Sequence, residues 1–128
     1  MVIDASVLGP ALIDDSGDGG RAREAMAGEQ LCAPHLIDCE VASVVRRARH
    51  RGEVYEQRAR QALADLSQIP LERFAHTHLL DRIWALHATL TPYDAAYVAL
   101  AELLGAPLLT ADRRLARSPG PTCRFVVL

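Results

Sequence analysis

A chain of 128 residues, half of them hydrophobic and only 5% aromatic, is long enough to bury one core built from Ala, Leu, Val and Ile. Its net charge of -2 provides no global attraction for nucleic acid, so any such contact must come from a local patch. All 14 basic residues are Arg, which excludes Walker-type phosphate loops, Schiff-base enzymes and every other chemistry that needs a lysine amine.

Val2 and Ile3 form a short apolar run that stops at Asp4 and predicts a buried strand turning into a helix at Ser6, Val7 and Leu8. Gly9 and Pro10 interrupt that helix early, and the DDSGDGG stretch from Asp14 to Gly20 reads as a loop before a short helix, Arg21 to Ala27. Leu31 to Ala33 is a second strand, closed by Pro34. The next helix runs from about Asp38 to Arg51, stops at Gly52, and turns Ile37, Val41, Val44, Val45 and Ala48 inward. Glu53 to Leu66 is amphipathic, with Val54, Ala59, Ala62, Leu63 and Leu66 on its apolar side, and Ile69 to Leu71 is a third strand.

Leu79, Leu80, Ile83, Trp84 and Leu86 recur at helical spacing between His78 and Thr89 and read as core, with Trp84 able to face a second subunit in part. Thr91-Pro92 opens the most apolar helix, Tyr93 to Leu104, which Gly105 and Pro107 end. Leu108 and Leu109 make a fourth strand stopping at Thr110, Arg113 to Arg117 a short helix, and Arg124 to Leu128 a fifth strand. Short apolar strands alternating with helices imply an α/β fold with a parallel sheet covered on both faces. Without repeats or a linker, residues 1–128 read as a single domain.

Cys32, Cys39 and Cys123 are odd in number and lack C-x-x-C spacing, so buried free thiols in a reducing compartment are expected. MVIDASVLGP has no basic segment and carries an acid at position 4, unlike a secretory signal, and no apolar run approaches the ~20 residues of a membrane span. A cytoplasmic location with no membrane partner follows as the expectation.

In an open parallel sheet, ligands bind beyond the carboxyl ends of the strands. Asp4 and Asp112 follow predicted strands directly, although each serves equally well as a helix cap. Asp94 fits a capping box with Thr91, yet the helix that follows is apolar on nearly all sides, so an acid at its start needs a partner. Glu40 sits at the edge of the inward stripe of its helix, where a surface glutamate has no reason to be; its alternative is a first-turn acid facing the helix dipole. Carboxylates gathered in one cleft repel one another unless a cation neutralises them. Mg²⁺ accepts oxygen ligands, keeps several waters and can activate one of them for attack on a phosphodiester.

The wording around each acid is more specific than the acids themselves. VIDASVL, APHLIDCEVASVVRR, LTPYDAAYVALAELLG and PLLTADRRLARS resemble, in order, the signature segments of the VapC-like PIN-domain toxins. The resemblance spans essentially the whole chain and is weakest between Gly52 and His87. It implies a PIN-like three-layer α/β/α fold whose five-stranded parallel sheet is flanked by helices, and a Mg²⁺ or Mn²⁺ site at the strand ends. The matching positions are Asp4, Glu40, Asp94 and Asp112, with Ser6 and Thr110 as polar neighbours. Asp4 and Asp94 are then the expected direct ligands, with Glu40 and Asp112 acting partly through water. A homodimer, an RNA substrate (tRNA, rRNA or mRNA) and a VapB-like antitoxin that blocks the site are implied in the same way. Gly9-Pro10 is the main departure from the family pattern and leaves Asp4 and Ser6 in register.

Arg46, Arg47, Arg49 and Arg51 crowd the end of the helix that starts near Glu40, where positive charge also suits the dipole and solvent. Some of these four, Arg46 among them, are candidates for RNA phosphate contact together with Arg113 and Arg114 beside Asp112. The five histidines show no metal-site spacing, and Ser6 lacks the G-x-S-x-G context of a nucleophile. The sequence thus points to the toxin of a type II toxin–antitoxin system, a Mg²⁺-dependent endoribonuclease acting through a metal-activated water. Its rivals are a non-catalytic RNA- or protein-binding module and a structure-selective DNA nuclease.

Overall fold

Val2 and Ile3 are wholly buried and form β1, the central strand of a five-stranded sheet in a computed structural model that describes residues 1–128. In chain order the other elements are α1 (Ala5–Ile13), α2 (Gly17–Met26), β2 (Leu31–Pro34), α3 (Ile37–His50), α4 (Glu56–Gln68), β3 (Leu71–Phe74), a single 3₁₀ turn (Thr77–Leu79), α5 (Leu80–Ala85), α6 (Pro92–Leu104), β4 (Leu108–Thr110), α7 (Arg113–Arg117) and β5 (Phe125–Val127). The strands lie in the order β3-β2-β1-β4-β5 and every neighbouring pair is parallel. Val2 stands opposite Cys32 on one side and Leu108 on the other, so two residues suffice to tie both halves of the sheet together.

Parallel strands need crossover helices, and these cover both faces. α1 packs on α2, α3 and α4, whereas α6 packs on β1, β2, β4 and α5. α6 is buried at every position from Ala95 to Ala101, as its apolar composition requires, and ends on Gly105 in the left-handed conformation at φ 58°. The 34 buried hydrophobic residues form one connected cluster. The expected α/β architecture with a five-stranded parallel sheet is borne out.

Several boundaries differ from the sequence expectations, each for a local reason. α1 runs unbroken through Gly9 and Pro10, and the Asp14 N–H still reaches the Pro10 carbonyl at 2.9 Å. Gly9 is a close-approach residue: a Cβ there would lie 2.7 Å from Cγ1 of Val44 on α3. Gly17 to Gly20 are helical, because Asp14 Oδ1 accepts the Ser16 N–H at 2.7 Å and the chain doubles back at once into α2. A Cβ on Gly19 would sit 1.8 Å from the Asp14 carbonyl oxygen, so only glycine permits that reversal.

β3 starts two residues later than expected, since Ile69 caps α4 and pairing with β2 begins at Leu71 opposite Leu31. The segment from His78 to Thr89 is helical only to Ala85. Leu80 and Trp84 on it are 54% and 70% exposed rather than core, Trp84 stacking on the His87 ring at 4.4 Å. Leu63 likewise faces outward. Of the cysteines only Cys32 is buried; Cys39 is exposed and Cys123 is half-buried.

Candidate active site

The chain leaves β1 to build β2 on one side and later returns to place β4 on the other, so the strand order reverses between β1 and β4. A crevice opens at the carboxyl ends of two strands that diverge in this way. Asp4 follows β1 directly and Asp112 stands two residues past β4, while α3 brings in Glu40 and α6 brings in Asp94. All four acids line one cleft of about 470 Å³, together with Ser6, Cys39, Ser43, Arg47 and Tyr93.

Asp4 is the most heavily bonded of the four. Its Oδ1 accepts the Ser6 N–H at 3.0 Å, and its Oδ2 accepts the Ser6 hydroxyl at 2.9 Å and the Thr110 hydroxyl at 2.6 Å. Thr110 is the one wholly buried polar side chain in the molecule, and its Oγ1 accepts the Asp112 N–H at 2.9 Å. Ser6 Oγ accepts the Ala111 N–H at 3.0 Å. Ser6 and Thr110 therefore stitch the ends of β1 and β4 together around the Asp4 carboxylate.

The capping roles foreseen for Asp4 and Asp112 are present alongside their place in the cleft. Asp112 Oδ1 accepts the Arg114 and Leu115 N–H groups at 2.7 and 3.1 Å and starts α7. Thr91 caps α6 by accepting the Asp94 N–H at 3.2 Å, and the Asp94 side chain lines the cleft.

Burial pushes the Glu40 carboxyl above the ordinary carboxylate range; the Tyr97 hydrogen bond opposes this, and the charges of Asp4 and Asp94 add to it. Asp94 is pushed up in the same way, first by burial and then by Asp4 and Asp112, against the bond from Thr91. Ionised together, these groups are only partly offset by Arg47 beside Glu40 and Arg114 beside Asp94, which is the electrostatic condition a hard cation satisfies. No group of three or more acidic, histidine or cysteine side chains is drawn together tightly enough to hold an ion by protein ligands alone. Mg²⁺ does not require that, since one or two carboxylates with waters and substrate phosphates complete its shell. The all-oxygen donor set fits such an ion.

The PIN-domain family profile matches residues 1–120. This chain belongs to the PIN-domain family. A VapC ribonuclease of Mycobacterium bovis is 40% identical over 128 residues, covering 100% of this chain and 98% of the relative. Ribonuclease VapC1 of Mycobacterium tuberculosis is 40% identical over 125 residues, covering 97% and 94%. The crystal structure of Mycobacterium tuberculosis VapC20, described as a sarcin-ricin loop cleaving toxin, aligns with a TM-score of 0.71 over 90% of this chain and 92% of that one, at 14% identity. The kinship read from the signature segments is thereby shown, and the VapC20 likeness carries the fold.

Sequence reasoning gave no role to Tyr97 or Tyr93 in this PIN domain and did not separate Arg47 from the arginines beside it. Tyr97 is 1% exposed and its phenol donates to Glu40 Oε2 at 2.5 Å. The available signal was a polar group in an otherwise apolar helix, three residues after Asp94 and so on the same face. Arg47 lines the cleft, whereas Arg46 lines a different cavity with Arg49, His50 and Arg60. Helical spacing distinguishes them, since Arg47 stands seven residues after Glu40 and shares its face. Tyr93, directly before Asp94, also lines the cleft. Arg113 and Arg114 are exposed, and Arg114 approaches Asp112 Oδ2 at 3.5 Å.

Proposed function

We propose that the chain is the toxin of a type II toxin–antitoxin pair, a cytoplasmic endoribonuclease that hydrolyses RNA phosphodiester bonds at Asp4, Glu40, Asp94 and Asp112 with Mg²⁺ or Mn²⁺. The observation that carries this reading is the convergence of acids from four separate segments on one cleft at the point where the strand order reverses. Whole-length relatives named as ribonucleases support the same reaction class.

Asp4 and Asp94 are the direct ligands in this reading, with Glu40 and Asp112 acting partly through water. A bound divalent cation would neutralise the acids, activate a water and stabilise charge on the phosphate. Ser6 and Thr110 hold the Asp4 carboxylate in one orientation, so no side-chain freedom is lost when it engages. Tyr97 does the same for one oxygen of Glu40. Hydrolysis places the water oxygen on phosphorus and breaks the bond to the 3′ oxygen, leaving a 5′-phosphate and a 3′-hydroxyl.

As partners we propose a second copy of the chain and a VapB-like antitoxin that covers the cleft; no helix is long and apolar enough to cross a membrane. The test is cleavage of purified tRNA, rRNA and mRNA by wild-type and Asp4→Asn protein, with Mg²⁺ and with excess chelator. Loss of cleavage in both the variant and the chelated sample is expected. Full cleavage in either defeats the mechanism, binding without cleavage marks a non-catalytic module, and preference for branched DNA marks a different nuclease.

A further inference from the structure

We propose that Tyr93 and Arg47 form a nucleotide subsite on the rim of the acidic cleft, where an unpaired RNA base stacks on the Tyr93 ring and a neighbouring phosphate is held by Arg47. The inference rests on the ribonuclease reading and narrows it to single-stranded segments.

Tyr93 occupies the second position of α6, is 63% exposed, and lines the same cleft as the four acids. Its ring adds little to the core, and its hydroxyl makes no hydrogen bond within the chain. The other strongly exposed aromatics are placed differently: Tyr55 lies outside the cleft, and Trp84 already stacks on His87. An aromatic face open to solvent beside a phosphodiester-cleaving site is a stacking platform, and stacking requires a base released from a duplex.

Arg47 is the only cation among the residues lining the cleft. Arg49, Arg51, Arg58, Arg60 and Arg73 are all engaged with carboxylates, but Arg47 forms no ion pair and its guanidinium makes no hydrogen bond. It shares a face of α3 with Glu40 two turns earlier, about 10 Å away along the axis at ~1.5 Å per residue. That spacing lets a guanidinium on the same face reach a phosphate beyond the one facing the acids. An acidic cleft repels a polyanion, and a free arginine at its edge supplies the attraction that draws the chain in.

The experiment measures binding of a fluorescein-labelled single-stranded RNA dodecamer by anisotropy in EDTA, where no cleavage occurs, alongside cleavage assays with Mg²⁺. Tyr93→Ala is expected to weaken binding about ten-fold while Tyr93→Phe stays within about two-fold of wild type. Arg47→Ala is expected to weaken binding and to flatten the slope of log affinity against log salt by about one. Thermal unfolding of all three should match wild type because both side chains are exposed. Wild-type affinity in Tyr93→Ala, equal losses in Tyr93→Phe and Tyr93→Ala, or equal wild-type affinity for a duplex of the same sequence overturns the stacking site. An unchanged salt slope in Arg47→Ala overturns the phosphate contact. If RNA is cleaved and these results fail, the subsite alone is wrong; if wild type neither binds nor cleaves RNA, the ribonuclease reading falls with it.

Discussion

The phenol of Tyr97 on α6 donates to Glu40 on α3, joining the helices that carry two of the four cleft acids. Burial and the adjacent Glu40 charge push the phenol far above its ordinary value, so it remains a donor at every pH at which the protein folds. Glu40 Oε2 is occupied by this bond, and Oε1 accepts none from the protein. One oxygen is thus held and the other left for the cleft.

Tyr97→Phe removes the donor without changing the packed ring. A hydrogen bond to a charged acceptor contributes about 1.5–3 kcal/mol, and water reaching half-buried Glu40 replaces part of it, so a loss of about 1 kcal/mol is expected in chemical unfolding. The bond lowers the Glu40 carboxyl, so without it that group ionises at higher pH. The acidic limb of the cleavage profile should move to higher pH with the alkaline limb in place. An unmoved acidic limb would show that Glu40 ionisation does not govern activity.

Thr110 and Ser6 both donate to Asp4 Oδ2, but their removal should differ in cost. Thr110→Val strands the Asp112 N–H at a site that is part-buried, whereas Ser6→Ala strands the Ala111 N–H, which is open to water. An unsatisfied buried donor costs about 1–3 kcal/mol and an exposed one much less. Thr110→Val should therefore destabilise by about 1–2 kcal/mol more than Ser6→Ala in urea titrations. Equal losses would mean that Asp112 finds another partner.

The strand-end acids were legible because position along the chain determines them: a residue just beyond a buried strand must stand at the sheet's carboxyl edge, as Asp4, one residue past β1, and Asp112, two past β4, do. Glu40 was legible from helical phase against apolar neighbours, and Asp94 from its place at the start of a helix apolar on nearly all sides. Tyr97 was not, because a tyrosine in an apolar helix reads as packing until its hydroxyl's partner, 57 residues away, is known. Gly9 was misread as interrupting its helix and Gly19 as part of a loop for a related reason. Each is required by contact with a distant or returning backbone or side chain, Val44 and the Asp14 carbonyl, and local propensity carries no record of such contacts.

Gly9 sets how closely α1 approaches α3, the helix that carries Glu40. Gly9→Ala gains about 1 kcal/mol of helix propensity but drives its Cβ to 2.7 Å from Val44 Cγ1, and overpacking of a stiff β-branched neighbour costs about 1–3 kcal/mol. A net loss of up to about 2 kcal/mol is expected. Val44→Ala removes the obstructing atoms, so Gly9→Ala/Val44→Ala should be more stable than the sum of the single losses. Additive losses in a double-mutant cycle would place the strain elsewhere.

Asp94 links the acid cluster to stability through pH. Its folded-state carboxyl titrates above the unfolded value, chiefly through burial and then through Asp4 and Asp112. The folded protein therefore binds more protons than the unfolded chain between those two values, and stability falls as pH rises through the interval from about 4 upward. Above it the penalty is fully present. Asp94→Asn abolishes the penalty, so in EDTA the variant should melt a few degrees above wild type at neutral pH, with the gap closing towards pH 4. Saturating Mg²⁺ should reverse the order at neutral pH, because wild type gains the free energy of ion binding and the variant loses a ligand. A variant that melts below wild type in EDTA at neutral pH, or a wild type that Mg²⁺ leaves unchanged, would show that Asp94 is held by something other than a shared cation site.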